Sequence, residues 1–268
     1  MGFARSLRHF GATVRVVTQE VLTYPAQMAI WVLTDAVTCF TMPLVMALVA
    51  GSGQVRGYSA SDFALYYIVM LVVTSWVVCH VMWEIMTEMR EGQFSSQLLR
   101  PTSYLGFVIA RNLAWRVQRT VLTLPVIGLM VLCYWSYLRG AQLHFSLGLV
   151  VSLVLAQWVS VMFCTAFAML ALFVEDATSI FELHYFPMLF LSGQIFPIEM
   201  LPTWAKQASY FLPFYYTTAF PTEMVLGKVP EHMVWPLIGG QVVWIVLCYA
   251  WYRVMFRAGT KVYSGVGM

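Results

Sequence analysis

Charge is what this 268-residue chain has least of: Asp, Glu, Lys and Arg make up 10% of it, against about 25% in an average soluble domain. With 60% hydrophobic residues, 16% aromatics and a mean hydropathy of +0.75, the chain cannot cover a globule in water with polar groups. Lipid must be its solvent. The sequence also has no CxxC pair, which excludes the usual redox and zinc frameworks. Its five cysteines, Cys39, Cys79, Cys133, Cys164 and Cys248, each stand in an apolar stretch and read as small buried hydrophobes. A GxxxxGK[ST] phosphate loop is absent, so the chain cannot hydrolyse a nucleotide through that motif. Neither an HExxH helix nor a pair of intramembrane aspartates is present, which argues against an intramembrane enzyme. The net charge of +3 and the pI near 8.6 are too mild to imply nucleic acid. The first ten residues are basic but lead to no apolar core with a cleavage site, so they are not expected to be a signal peptide.

What is there is a series of apolar runs. A helix needs about 20 residues to cross a 30 Å hydrocarbon core, and six windows meet that length: 26–50, 63–83, 120–138, 145–174, 177–198 and 233–256. The third is short and contains Pro125. None shows the in-out alternation of a membrane barrel, so the expected fold is all-helical, with six spans in one polytopic membrane domain. The basic residues then set the orientation. With the N-terminus inside, 11 of the 15 Lys and Arg fall in cytoplasmic segments, leaving Arg56, Arg139, Lys206 and Lys228 outside. The positive-inside rule gives cytoplasmic N- and C-termini.

Three segments are too polar or too short to cross. Phe3, Leu7, Phe10, Val14, Val17 and Val21 recur at steps of three or four. They form the apolar stripe of an interfacial helix over 3–21, with Arg5, Arg8 and Arg15 largely off that stripe. Between spans two and three, Glu84 to Pro101 is the most polar stretch; Gly92 can end one helix, and Phe94 to Arg100 leaves room for two further turns before Pro101. Phe94, Leu98 and Leu99 are expected to present apolar side chains away from the membrane body, for a partner with a groove to receive them. Between spans five and six, Phe196 to Tyr216 is rich in Trp, Tyr and Pro, which belongs to the membrane interface. Two short helices, starting near Pro202 and after Pro213, are expected to dip in and return as a re-entrant outer hairpin.

Few charges stand at costly depth. Asp35 lies in the first span, where an aspartate at the centre costs about 2.5–3.5 kcal/mol to insert. It is the candidate intramembrane polar residue, either on a substrate path or bonded to Thr34, Thr38 or a neighbouring helix. Glu175, Asp176 and Glu182 cluster at the turn between spans four and five and are expected to pair with Arg90, Arg100 or the N-terminal arginines. His80, Glu84 and Glu88 share a helical face, but without a cysteine or second histidine on that face no metal site is expected. Glu182 and His184 lie too early in span five to relay protons across a bilayer.

In layout the chain resembles the permease subunits of the ABC type 2 exporter family. The resemblance is most specific in Leu191-Ser-Gly-Gln-Ile-Phe196-Pro197, Leu201-Pro202-Thr-Trp204 and Leu212-Pro213-Phe214-Tyr215-Tyr216. Gly92 through Leu98-Leu99-Arg100-Pro101 looks like the branch in which two unlike permeases join a separate ATPase. The resemblance implies a bacterial inner-membrane exporter of a drug, lipid or glycan. Two six-helix permeases would pair, with a heterodimer favoured, and open alternately. ATP and Mg would be bound by partner ATPase subunits, this chain holding no cofactor. Contact with the ATPase would fall on Gly92, Phe94, Leu98, Leu99, Arg100 and Pro101, and Phe196, Pro197, Leu201, Pro202, Trp204 and Pro213 would shape the outer hairpin. The readings from other classes are an ion-coupled secondary transporter and a membrane scaffold. Scarce central charge counts against the former.

Overall fold

The computed structural model describes residues 11–263 apart from 13, 17, 20–24, 52, 101, 102, 140 and 175. Phe3, Leu7, Phe10, Val17 and Val21 of the expected interfacial helix therefore lie outside the described residues, as do Pro101 and Glu175. Residues 11, 12, 14–16, 18 and 19 are helical. The long elements that follow are α1 (Pro25–Ala50), α2 (Ala60–Val77), α3 (Val81–Arg90), α4 (Gln93–Leu98) and α5 (Tyr104–Cys133). After them come α6 (Leu147–Ala168), α7 (Thr178–Leu191), α8 (Thr203–Phe211), α9 (Phe220–Val225) and α10 (Glu231–Val262). The described residues are helices and turns, without a named strand.

Polar caps fix several starts. Ser59 and Asp62 form a reciprocal capping box at α2: the Ser59 amide donates to Asp62 Oδ2 at 2.9 Å, and the Asp62 amide to Ser59 Oγ at 3.2 Å. Ser103 accepts from the Gly106 amide at α5, and Ser146 from the Leu149 amide at α6. Gly92, at φ +76°, supplies the left-handed turn from α3 into α4.

Five stretches are long and apolar enough to cross a membrane: 32–50, 60–90, 104–133, 147–172 and 231–262. The chain is a multi-pass membrane protein. Two of the six expected windows have a different form. The window at 120–138 belongs to a helix that begins 16 residues earlier, at Tyr104, because the more polar stretch before it is helical too and Pro125 does not end it. The window at 177–198 holds α7, which at 14 residues is shorter than a straight crossing, since the chain turns at Gly193 with φ +80°. That turn requires glycine: a Cβ there would stand 2.6 Å from the Tyr66 hydroxyl oxygen.

The second crossing is broken. Between α2 and α3, Val78, Cys79 and His80 leave the helix although none is proline or glycine. Neighbouring side chains take up the freed backbone groups: Ser160 Oγ accepts from the Cys79 amide at 3.0 Å, and Cys164 Sγ donates to the Cys79 carbonyl at 3.0 Å. Such substitution is what lets irregular backbone exist at membrane depth. The break also divides the buried side chains. One cluster gathers around α2 with Met130, Ala156, Tyr215 and Ile238; the other gathers around α3 with Phe94, Val108, Met169 and Tyr252.

Candidate functional site

The short helix α4 sits at the end of the α3–α5 hairpin. Phe94 does not face outward as its place in a polar loop suggested; it is fully buried. Its ring meets the Tyr104 ring edge-on at 4.8 Å, Tyr263 at 5.2 Å and Phe256 at 6.3 Å. An aromatic ring gains more from such a cage than from water, so Phe94 is the anchor that ties α4 to α5 and α10. Leu98 is 39% exposed and Leu99 88% exposed, and Arg100 beside them is exposed as well. Behind α4, Arg111 joins α5 to α3 through an ion pair with Glu88 and a contact of its Nε with Glu84 Oε2 at 3.2 Å. The Tyr104 hydroxyl donates to Glu88 Oε2 at 3.1 Å. Arg90 and Asp176 approach to 3.9 Å in the open. Thr178 donates its hydroxyl and its amide to Asp176 Oδ1, and these bonds, with Arg90 nearby, hold the Asp176 carboxyl below the usual range.

At the broken segment the walls part around a cavity of about 290 Å³. Its lining comes from His80, Val81, Trp83 and Glu84 on one side and from Asn112, Trp115, Arg116 and Arg119 of α5 on the other. Arg119 pairs with Asp35 of α1, so Asp35 is bonded to a neighbouring helix. Arg116 is 3% exposed. It reaches the Ser75 carbonyl at 3.4 Å, its Nε has no hydrogen-bond partner, and it enters no ion pair among the described residues. His80 is the residue before α3 and not a member of it, so it does not continue a face with Glu84 and Glu88. No metal-binding cluster occurs among the described residues.

At the other end, α8 starts after Pro202 and a wide helical turn, Tyr215–Ala219, follows Pro213. Hydrogen bonds latch this hairpin to α2 and its preceding loop. Tyr66 donates to the Gly193 carbonyl and Tyr67 to the Ile195 carbonyl, both at 2.7 Å, and Arg56 donates to the Leu201 carbonyl at 2.8 Å. Pro197, Leu201 and Pro213 are buried, Phe196 is half-buried, and Pro202 and Trp204 are exposed. Within the latch lies the buried carboxyl of Glu223, which accepts from the Tyr215 hydroxyl at 2.9 Å. Burial and the neighbouring Glu199 carboxylate push the Glu223 carboxyl well above the usual range, against the opposing bond from Tyr215.

Other polar candidates separate. His184 is packed among Phe163, Phe167 and Phe214, while Glu182 is exposed, so they form no relay. Four of the five cysteines are buried as expected; Cys133, in the last turn of α5, is exposed. In the sequence, Arg111, Arg116 and Arg119 are counted only among the 11 basic residues of the cytoplasmic segments, and Glu223 carries no distinguishing pattern. The available signal was three acids on the neighbouring segments, Asp35 on α1 and Glu84 and Glu88 on α3, against three arginines within three turns of α5.

Residues 21–267 match the family model described as ABC-2 family transporter protein. Comparison with curated proteins and with solved structures gives no match.

Proposed function

The chain belongs to the ABC-2 transporter family, and from that premise we propose that it is the membrane-spanning permease subunit of an ATP-driven exporter. In this reading the residues at α4 face the cytoplasm, together with both termini, in a bacterial inner membrane. Separate ATPase subunits bind ATP and Mg and dock against α4. The permease pairs with a second one, an unlike subunit being favoured, and opens outward for a hydrophobic or amphipathic cargo such as a drug, lipid or glycan.

The observation that carries this reading is the division of labour in α4. Phe94 is locked into the membrane body while Leu98 and Leu99, four and five residues on, stand exposed in a polar segment. A contact that transmits force needs both parts: an apolar surface for the partner and a rigid connection behind it. Arg111, Glu84 and Glu88 add to that connection by clamping α3 to α5.

The test is copurification from the native membrane. The wild type is expected to bring down a nucleotide-binding subunit and, for a mixed dimer, a second permease. Leu98→Ala with Leu99→Ala should lose the nucleotide-binding subunit by tenfold or more while keeping the wild-type melting temperature. A well-folded wild type that captures no ATPase, or a double variant that retains it fully, overturns the reading.

A further inference from the structure

We propose that the cavity at the break in the second crossing is a binding site for an anionic phosphate headgroup, supplied by a lipid. Two independent features converge there. The first is the N-terminus of α3, a ten-residue helix whose first turn, Val81 to Glu84, forms one wall. A helix start carries about half a positive charge and amides without helical partners, and His80 makes no side-chain cap to satisfy them. Broken membrane helices place such ends against the anionic parts of ligands.

The second feature is Arg116 on the facing wall. An arginine that is 3% exposed carries a large desolvation cost unless an anion answers it. Asp35 pairs with Arg119 and Glu88 with Arg111, while the Glu84 carboxylate, shared with Arg111, attracts Arg116 without forming an ion pair with it. Glu84, on the same wall, turns its Oε2 to Arg111 Nε at 3.2 Å. That leaves the Arg116 guanidinium without an ion pair among the described residues, on a wall of the cavity. Guanidinium is the side chain best matched to a phosphate.

Size and depth select a lipid headgroup. Water occupies about 30 Å³ per molecule in the liquid, so about 290 Å³ holds a headgroup and not the acyl chains. Counting about 20 residues for the hydrocarbon core from Phe63 near the start of α2 reaches Trp83, which lines the cavity. That count sets Trp83, at one edge of the cavity, near the level of one leaflet's phosphates, while the break at Val78 to His80 lies deeper in the crossing. Trp83 and Trp115 flank the cavity, as tryptophans do at the headgroup level. Basic recesses between spans are a known mode of holding anionic lipid.

The experiment is native mass spectrometry of the full chain from nanodiscs containing equal phosphatidylglycerol and phosphatidylcholine. The wild type should retain about one phosphatidylglycerol per chain and at least fivefold less phosphatidylcholine. Arg116→Gln should lose that preference and Arg116→Lys should keep part of it. Glycerol 3-phosphate added to the aqueous phase distinguishes the source: unchanged retention assigns the lipid, while displacement means that the same phosphate site is filled from water. Equal retention of the two lipids by the wild type overturns the proposal, and this arm needs no variant to fold. So does an Arg116→Gln protein that is monodisperse and keeps the wild-type preference. Neither nucleotide nor a partner enters the assay, so its failure leaves the exporter reading standing.

Discussion

Asp35 and Arg119 show why single residues in a membrane protein are best read in pairs. Alone, either would be expensive at its depth; together they tie α1 to α5 with Arg119 almost fully enclosed. Removing one partner of such a pair leaves an uncompensated charge, which typically costs about 3–5 kcal/mol. Because Asp35 is a quarter exposed, Asp35→Asn should destabilise the protein by about 3 kcal/mol, at the lower end of that range. The double change Asp35→Leu with Arg119→Leu should recover much of the loss. Thermal unfolding in a fixed detergent would check both; a double variant no more stable than the single one would contradict the pairing. The sequence made Asp35 legible as a cost but not its answer, since Arg119 is 84 positions away and looked like ordinary positive-inside charge. Phe94 erred in the other direction. Its polar neighbours suggested exposure, whereas the decisive partners, Tyr104, Phe256 and Tyr263, arrive from distant parts of the chain.

At the scale of elements, the hairpin after α7 joins short helices that have little stability of their own to α2 through carbonyl bonds and a buried acid. Glu223 gives this latch a pH dependence whose sign follows from its environment. Its carboxyl titrates higher when folded than when unfolded. The folded state therefore holds the extra proton, and the contribution is complete below the unfolded carboxyl range and is lost as pH rises through the higher folded value. Melting temperature should fall with rising pH over that window, and Glu223→Gln, which keeps the shape without the titration, should flatten the slope. An unchanged slope would remove Glu223 from the latch. The helices that follow Pro202 and Pro213 were legible in the sequence because proline marks helix starts through its own backbone chemistry. The break at Val78 to His80 was not: no proline or glycine announces it, and its support comes from Ser160 and Cys164 on another helix.

For the whole molecule, the all-helical membrane layout could be read from composition and run length because lipid permits few alternatives. Burial in two clusters could not, since it depends on which helices meet at each level. That division predicts two separable zones of local stability. Phe94→Ala, expected to cost about 3–5 kcal/mol, should raise hydrogen exchange in α3, α4 and the end of α10 while leaving α2 and the hairpin protected. Gly193→Ala, which drives a Cβ against the Tyr66 hydroxyl and puts alanine at φ +80°, should do the reverse. Uniform loss of protection in both variants would show one cooperative unit instead. The broken crossing also has a mechanical meaning. The segment α3 is an arm of roughly 15 Å with Cys79 as its fulcrum. A push of about 1–2 Å at the α4 end, ordinary for shifts between packed helices, needs a rotation of only roughly 4–8° about that point. Such a small angle leaves α2 in register and moves the cavity wall unevenly, least at His80 beside the fulcrum and more at Trp83 and Glu84 farther along the arm.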